Sequence, residues 1–424
     1  MAKITKIEAR EILDSRGNPT LEVDTYVEGD MGRFAVPSGA STGKYEALEK
    51  RDGDLDRFEG KGVKKLAEMI EKELAPKMVG RDFRQETIDK FLIMRDGTEN
   101  KSNLGANVIL GLSMSFAKAE AWHTRVPLWK YISSLSGNES PALPTPMVNI
   151  INGGRHSNNG LDIQEFMIVP LKKEDFAEKI RECSEVFHDL KKILQEKSLS
   201  TAVGDEGGFA PKLKSHKEAL ELIKEAIEKG GFKLGVDFGI ALDTAASEFY
   251  NPSADGGKYI LKSEKKEFTS LELLKYYQKL IEDFSIIYIE DPFDQDDWEG
   301  HTLFTKKFGS KPIQIGGLMV VGDDLFVTNL KRLEEGINRK AANSILIKLN
   351  QVGTLSETLE VIKRAQEENW QTIISHRSGE TSDTSIDHLA VGTFSKYIKT
   401  GSVSRGERTA KYNELLRIEE SLKE

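Results

Sequence analysis

The chain has little cysteine, no long apolar run and no surplus of positive charge. A single cysteine, Cys183, in 424 residues excludes an intramolecular disulfide framework and suits a reducing, cytoplasmic setting. Cys183 lies in KIRECSEVFHDL, a helical pattern, and reads as a packed thiol rather than a nucleophile. No stretch reaches the roughly 18 consecutive apolar residues that a membrane-crossing helix needs. The opening MAKITKIEAR alternates and carries charge, with none of the apolar segment of an export signal. The expectation is an unexported, cytoplasmic chain with no membrane partner. Lys and Arg total 60 against 69 Asp and Glu, a formal charge of −9, which argues against a nucleic-acid partner. An anionic small molecule stays admissible, because a metal ion or a local Lys/Arg cluster governs the field of one pocket. No phosphate-binding P-loop and no dinucleotide fingerprint occurs.

What is present falls into two styles of sequence. Residues 4–13, 20–28 and 33–36 read as strands, followed by helical periods over 62–74, 84–94 and 105–123. Strands followed by helices describe an α+β unit, placed at 1–135. SGNESPALPTP, residues 136–146, carries three prolines and reads as a linker. From 142 to 424 apolar strands alternate with helices. Strands are predicted at 147–152, 163–170, 238–243, 285–290, 313–324, 344–350, 372–376 and 397–401, with helices at 174–197, 215–230, 270–284 and 354–368. Eight strands mostly joined by helices are the arithmetic of a (β/α)8 barrel; a doubly wound open sheet is the rival arrangement. The four tryptophans, Trp122, Trp129, Trp298 and Trp370, read as packing residues.

In a barrel the strand ends converge on one mouth. FGIALD ends in Asp243, SIIYIE in Glu290 and MVVGDD in Asp323 and Asp324. Lys348 stands near the end of SILIK, His376 ends TIISH and Lys399 ends YIK, while IQEF and GDEGG add Glu165 and Glu206. Carboxylates buried together are costly unless a cation neutralises them. Asp243, Glu290 and one of Asp323 and Asp324 offer hard oxygen ligands without His or Cys, a set that favours Mg²⁺ over zinc. Lys348, Lys399 and Arg377 are then left facing an anion. A carboxylate substrate on the metal, deprotonated by a lysine at its α-carbon, is the chemistry this set points to. Neighbouring positive charge from Mg²⁺ and Lys399 is expected to lower the Lys348 amine.

DSRGNPTLEV, VPSGASTGKYEA, INGGRH, QEFMIVP, GDEGGFAP, LDTAASEFY, IEDPF, GDDLFVTN, KLNQVGTLSET, SHRSGETSD, IKTG and LLRIEE occur in that order, and together they resemble the enolase family from end to end. The lysine-and-Mg²⁺ pattern is the one established for enolase-superfamily sites. The resemblance implies a (β/α)8-type barrel preceded by an α+β capping domain, and reversible dehydration of 2-phosphoglycerate to phosphoenolpyruvate. It implies Lys348 as general base, Glu206 as the acid for the leaving hydroxyl, and Asp243, Glu290 and Asp323 as ligands of a first Mg²⁺. It further implies two Mg²⁺ per site, with Ser41 closing the second onto the phosphate. Arg377 and Ser378 match phosphate contacts, Lys399 a substrate contact, and His156, Gln164 and Glu165 pocket positions near the leaving group. His376 matches a histidine beside the substrate. A homodimer is implied, with Glu22 and Arg417 at matching interface positions.

The chain departs from the family pattern in three places. The run at 313–324 is long and carries Gly316-Gly317, a register in which Asp324 rather than Asp323 could face the metal. Lys396 and Tyr397 add bulk and charge beside Lys399. Ser382 stands where an acid is common. Two other functions use the same architecture: a superfamily enzyme acting on a carboxylate without phosphate, and a catalytically idle binding or structural protein. The Arg377-Ser378 pair and the SGASTG loop speak against the first. The retained Lys348, Glu206 and carboxylates speak against the second.

Overall fold

In a computed structural model the structure describes residues 2–39, 43–253, 257–311 and 317–423. The chain opens with an antiparallel sheet in which β1 (Ala2–Leu13) pairs with β2 (Pro19–Val27), β2 with β3 (Asp30–Ala35), and β1 also with the short β4 (Asp82–Phe83). The helix Ala106–His123 packs on this sheet. Its run of Gly, Ala and Ser lets the backbones approach closely. Gly32 on β3 has no room for a Cβ, which would fall 2.1 Å from the Ala119 nitrogen.

The second unit is a closed eight-stranded barrel, so the open-sheet alternative does not hold. Its strands are β5 (Thr145–Asn152), β6 (Glu165–Pro170), β7 (Phe238–Asp243), β8 (Ile286–Glu290), β9 (Met319–Gly322), β10 (Ser344–Ile347), β11 (Gln371–Ser375) and β12 (Tyr397–Lys399). Around the circle they run in chain order, with β12 closing onto β5. Apolar alternation explains both faces. One set of side chains packs under the surrounding helices. A second, separate cluster fills the barrel interior, including Met147, Met167, Tyr288, Met319 and Leu346.

One strand breaks the regular pattern. β6 is antiparallel to both neighbours. The segment from 153 to 164 holds only a single short turn of helix, Gly154–His156. Parallel neighbours are usually joined through a crossover helix, and these twelve residues hold none of sufficient length, so β6 returns in the opposite sense. The two helices Phe176–Glu196 and His216–Lys229 then follow β6 together. The consequence for the mouth is direct: β6 contributes its beginning, Gln164 and Glu165, where every other strand contributes its end.

The SILIKLN run also divides. The strand stops at Ile347, and Leu349–Val352 is a short helix, with Lys348 at the junction. Cys183 is buried, as its helical pattern implies. Trp122 does not pack as expected; it is 60% exposed. Among the described residues no helix is long and apolar enough to cross a membrane.

Candidate active site

The mouth is assembled by strand register. Asn152 on β5 pairs with Glu165 on β6, Glu165 with Asp243 on β7, and Asp243 with Glu290 on β8. Paired residues hold their side chains about 5 Å apart, so three acids on successive strands are forced together. All three are buried, an arrangement that demands counter-charge. Lys399, at the end of β12, supplies it. Its ammonium lies 3.2 Å from Glu165 Oε1, 3.2 Å from Asp243 Oδ2 and 2.9 Å from Glu290 Oε2. Burial works against the Lys399 charge, but these carboxylates outweigh it and hold the amine well above the ordinary lysine range. Burial and the nearby Asp243 push the Glu290 carboxyl up to about 8.

The adjoining strands provide a second ion pair. The Lys348 ammonium is bonded to Asp323 Oδ2, and Asp323 Oδ1 accepts a hydrogen bond from Gln351 Nε2 at 2.8 Å. Lys399 and Arg377 do push the Lys348 amine down, as expected. Burial pushes it the same way, but Asp323 in direct contact outweighs them and leaves the amine above its usual value. The lowering expected from Mg²⁺ together with Lys399 belongs to the metal-loaded site. Asp323, not Asp324, meets Lys348. Asp324 is driven up to about 8 by burial and by Asp323 beside it. Asp291 fixes this strand end, accepting the backbone N–H groups of Asp323 at 3.0 Å and Asp324 at 2.7 Å.

Across the mouth, Glu206 is surrounded by donors. Asn149 Nδ2 donates to it at 2.9 Å, and His156 Nδ1 and His376 Nε2 both lie 3.4 Å from its oxygens. The tautomer of His376 follows from its other side. Arg408 Nη1 sits 2.6 Å from His376 Nδ1. A guanidinium can only donate, so Nδ1 carries the lone pair and the ring proton is on Nε2, facing Glu206. Burial, with Arg408 adjacent, holds the imidazole neutral, its pKa well below the usual range. Glu165 is pushed well up, by burial first and then by Glu206. Burial works to raise Glu206, but His156 beside it, with Arg408 behind His376, holds it low.

Arg377 and Ser378 follow β11. Arg377 Nη1 donates to Glu46 at 3.0 Å and to Asn350 Oδ1 at 2.9 Å, and Ser378 Oγ accepts from Arg16 at 3.3 Å. The loop is tied to the first unit by backbone bonds of 2.7 and 2.9 Å between Ser38 and Gly379. Only glycine fits there, since a Cβ at 379 would fall 2.4 Å from Ser38 Oγ and 2.5 Å from Asp14 Oδ2.

The fold thus brings His156, Gln164, Glu165, Glu206, Asp243, Asp323, Lys348, His376, Arg377, Ser378 and Lys399 around one polar cleft. Glu290 joins them through Lys399. Ser41 and Gly316 lie outside the described residues. Tyr397 sits two residues below Lys399 and packs against the interior cluster, and Lys396 is exposed. Ser382 lines a separate groove. Sequence reasoning passed over Asp291, Glu46, Asn149, Asn350, Gln351 and Arg408, whose side chains hold the cleft residues in place. Asp291 directly follows Glu290 in IEDPF, and Asn350 and Gln351 stand two and three residues after Lys348 in KLNQ, which is the signal that could have found them. Arg408 comes from the helix Gly406–Lys423 and carries no such signal.

The donors fit a divalent cation. Asp243, Glu290 and Asp323 offer only carboxylate oxygen, and Lys399 and Lys348 already supply positive charge to them. Tight groupings of ligand atoms, all within 4.8 Å of one another, occur at Asp291, Asp323 and Asp324 and at His156, Glu165 and Glu206. Both oxygens of Asp291 are already spent on backbone N–H groups.

Comparison with known protein families matches residues 4–132 to the enolase N-terminal domain and residues 140–424 to the enolase C-terminal TIM barrel domain. These matches cover nearly the whole chain, and with a closed barrel whose mouth gathers this cluster of acids and lysines, the chain belongs to the enolase family.

Proposed function

We propose that this chain is a phosphopyruvate hydratase, a lyase that reversibly dehydrates 2-phospho-D-glycerate to phosphoenolpyruvate and water in glycolysis and gluconeogenesis. The observation that carries this reading is the division of labour across one buried cleft. A lysine amine stands on one side, a carboxyl pair on the other, and an arginine–serine pair at the rim.

Asp243, Glu290 and Asp323 would hold one Mg²⁺, and the family resemblance implies a second, closed over by Ser41. When bound, the ions neutralise the acids and stabilise the negative charge that grows on the substrate carboxylate as its α-proton leaves. Lys348 takes that proton. Asp323, the carboxylate that now raises the Lys348 amine, is one of the three proposed ligands, so its release from the lysine favours the free amine. Glu206 delivers a proton to the departing 3-hydroxyl. Two carboxyls this close do not both ionise readily, so Glu206 and Glu165 share one proton, and that proton passes from Glu165 through Glu206 to the leaving oxygen. His376 Nε2–H orients Glu206, while His156 and Gln164 contact the leaving group. Arg377 and Ser378 bind the phosphate by charge-assisted hydrogen bonds, and Lys399 contacts the substrate carboxylate.

We also propose a cytoplasmic homodimer. A groove of about 760 Å³, lined by Glu22, Arg33, Lys118, Trp122 and Arg125 among others, offers a surface for a second copy. Within one chain Arg417 is 67% exposed at its side chain and pairs only with neighbouring Glu414 among the described residues.

Adding 2-phosphoglycerate with Mg²⁺ should raise the ultraviolet absorbance of the conjugated product, and prior chelation should abolish the rise. A flat trace with Mg²⁺ present would point instead to an idle homologue or to a substrate without phosphate.

A further inference from the structure

Tyr288 is fully buried in the barrel interior, two residues before Glu290 and on the same side of β8. Its ring has room because the register sets Ala241, with only a methyl group, beside it on β7. Met319 lies on the other flank. Of the fully buried residues in this interior cluster, Tyr288 alone carries a polar side-chain atom other than sulfur. That atom reaches upward, with the hydroxyl 2.5 Å from Glu290 Oε2. The phenol donates and Oε2 accepts. Glu290 Oε2 thus meets both the phenol and Lys399, whereas Oε1, among the described residues, meets Lys399 alone, at 3.0 Å.

We propose that Tyr288 is a positioning residue for Glu290. Its hydroxyl pins Oε2 from below and leaves Oε1 as the single oxygen presented to a divalent cation. This rests on the reading of Asp243, Glu290 and Asp323 as the metal-holding group. One-oxygen ligation suits the small, octahedral Mg²⁺. The larger Ca²⁺ takes more oxygens and often engages both atoms of a carboxylate. Tyr288 therefore sets the preference for Mg²⁺ over Ca²⁺ as well as the orientation of the ligand.

The test is Mg²⁺ and Ca²⁺ binding to the substrate-free protein by titration calorimetry, for the parent and for Tyr288→Phe. Phe keeps the ring and its packing and removes only the hydroxyl. Tyr288→Met, suited to an interior already rich in methionine, repeats the test in a second shape. Loss of an outer hydrogen-bond partner of this kind typically weakens metal binding by about tenfold or more. Both variants should bind Mg²⁺ about tenfold more weakly, and Ca²⁺ should lose less, so the ratio of the two constants narrows. A Mg²⁺ constant within about twofold of the parent's, or an equal loss for both ions, overturns the inference. A parent chain that takes up no Mg²⁺ overturns the metal reading itself, and this inference with it.

Discussion

Replacing Lys348 by alanine is expected to lower turnover of 2-phosphoglycerate by about a thousandfold or more, since a positioned base contributes about 10²–10⁴-fold. The fold should persist. Lys348 sits at the junction of β10 and the following short helix, and its backbone N–H, which donates to Thr328 Oγ1 at 2.9 Å, is untouched by the substitution. The side chain's one strong partner is Asp323, which keeps its bond from Gln351. Isotope exchange of the α-proton separates this role from a binding role. Exchange should vanish together with dehydration, with thermal unfolding close to the parent's. A Lys348→Ala variant that still exchanges the α-proton at the parent rate would remove Lys348 from the proposed base position.

Glu206→Gln is expected to split the two halves of the reaction. The glutamine can still accept from Asn149 and face His376, so substrate binding and α-proton removal should continue. Protonation of the leaving hydroxyl should fail, and net dehydration should fall by about 10²–10³-fold. Exchange without product is the diagnostic pattern. Equal loss of exchange and dehydration would make Glu206 a positioning group and leave Glu165 as the sole proton donor. The arrangement makes the split testable because Glu206 stands with His156 and His376, whereas Lys348 is bonded to Asp323.

The barrel and most of its mouth were legible because six consecutive apolar runs close on an ionisable residue. Asp243, Glu290 and Lys399 end their strands as read, while Asp323, Lys348 and His376 each follow theirs directly. Glu165 was flagged for its residue type, but its place at the mouth depends on β6 running backwards. That follows from the short connection before the strand, not from its periodicity. The contact between Lys348 and Asp323 was not legible, because sequence does not say which neighbour touches the amine. Two cations, Arg377 and Lys399, and two carboxylates, Asp323 and Glu290, surround the amine, and Asp323 touches it. Arg408 and Tyr288 were invisible for a related reason. A helical Arg near the end of the chain and a Tyr in an apolar strand look like surface and core, and only the closed barrel brings them to His376 and Glu290.

Anomalous diffraction from crystals soaked in Mn²⁺, a heavier stand-in for Mg²⁺, examines the central claim with the fewest intervening steps. The peak is expected among Asp243, Glu290 and Asp323, with Lys399 withdrawn from Glu290 and the Lys348 amine released from Asp323. A peak lodged instead between Asp291 and Asp324, or between His156, Glu165 and Glu206, with Lys399 still seated among the acids, would contradict it.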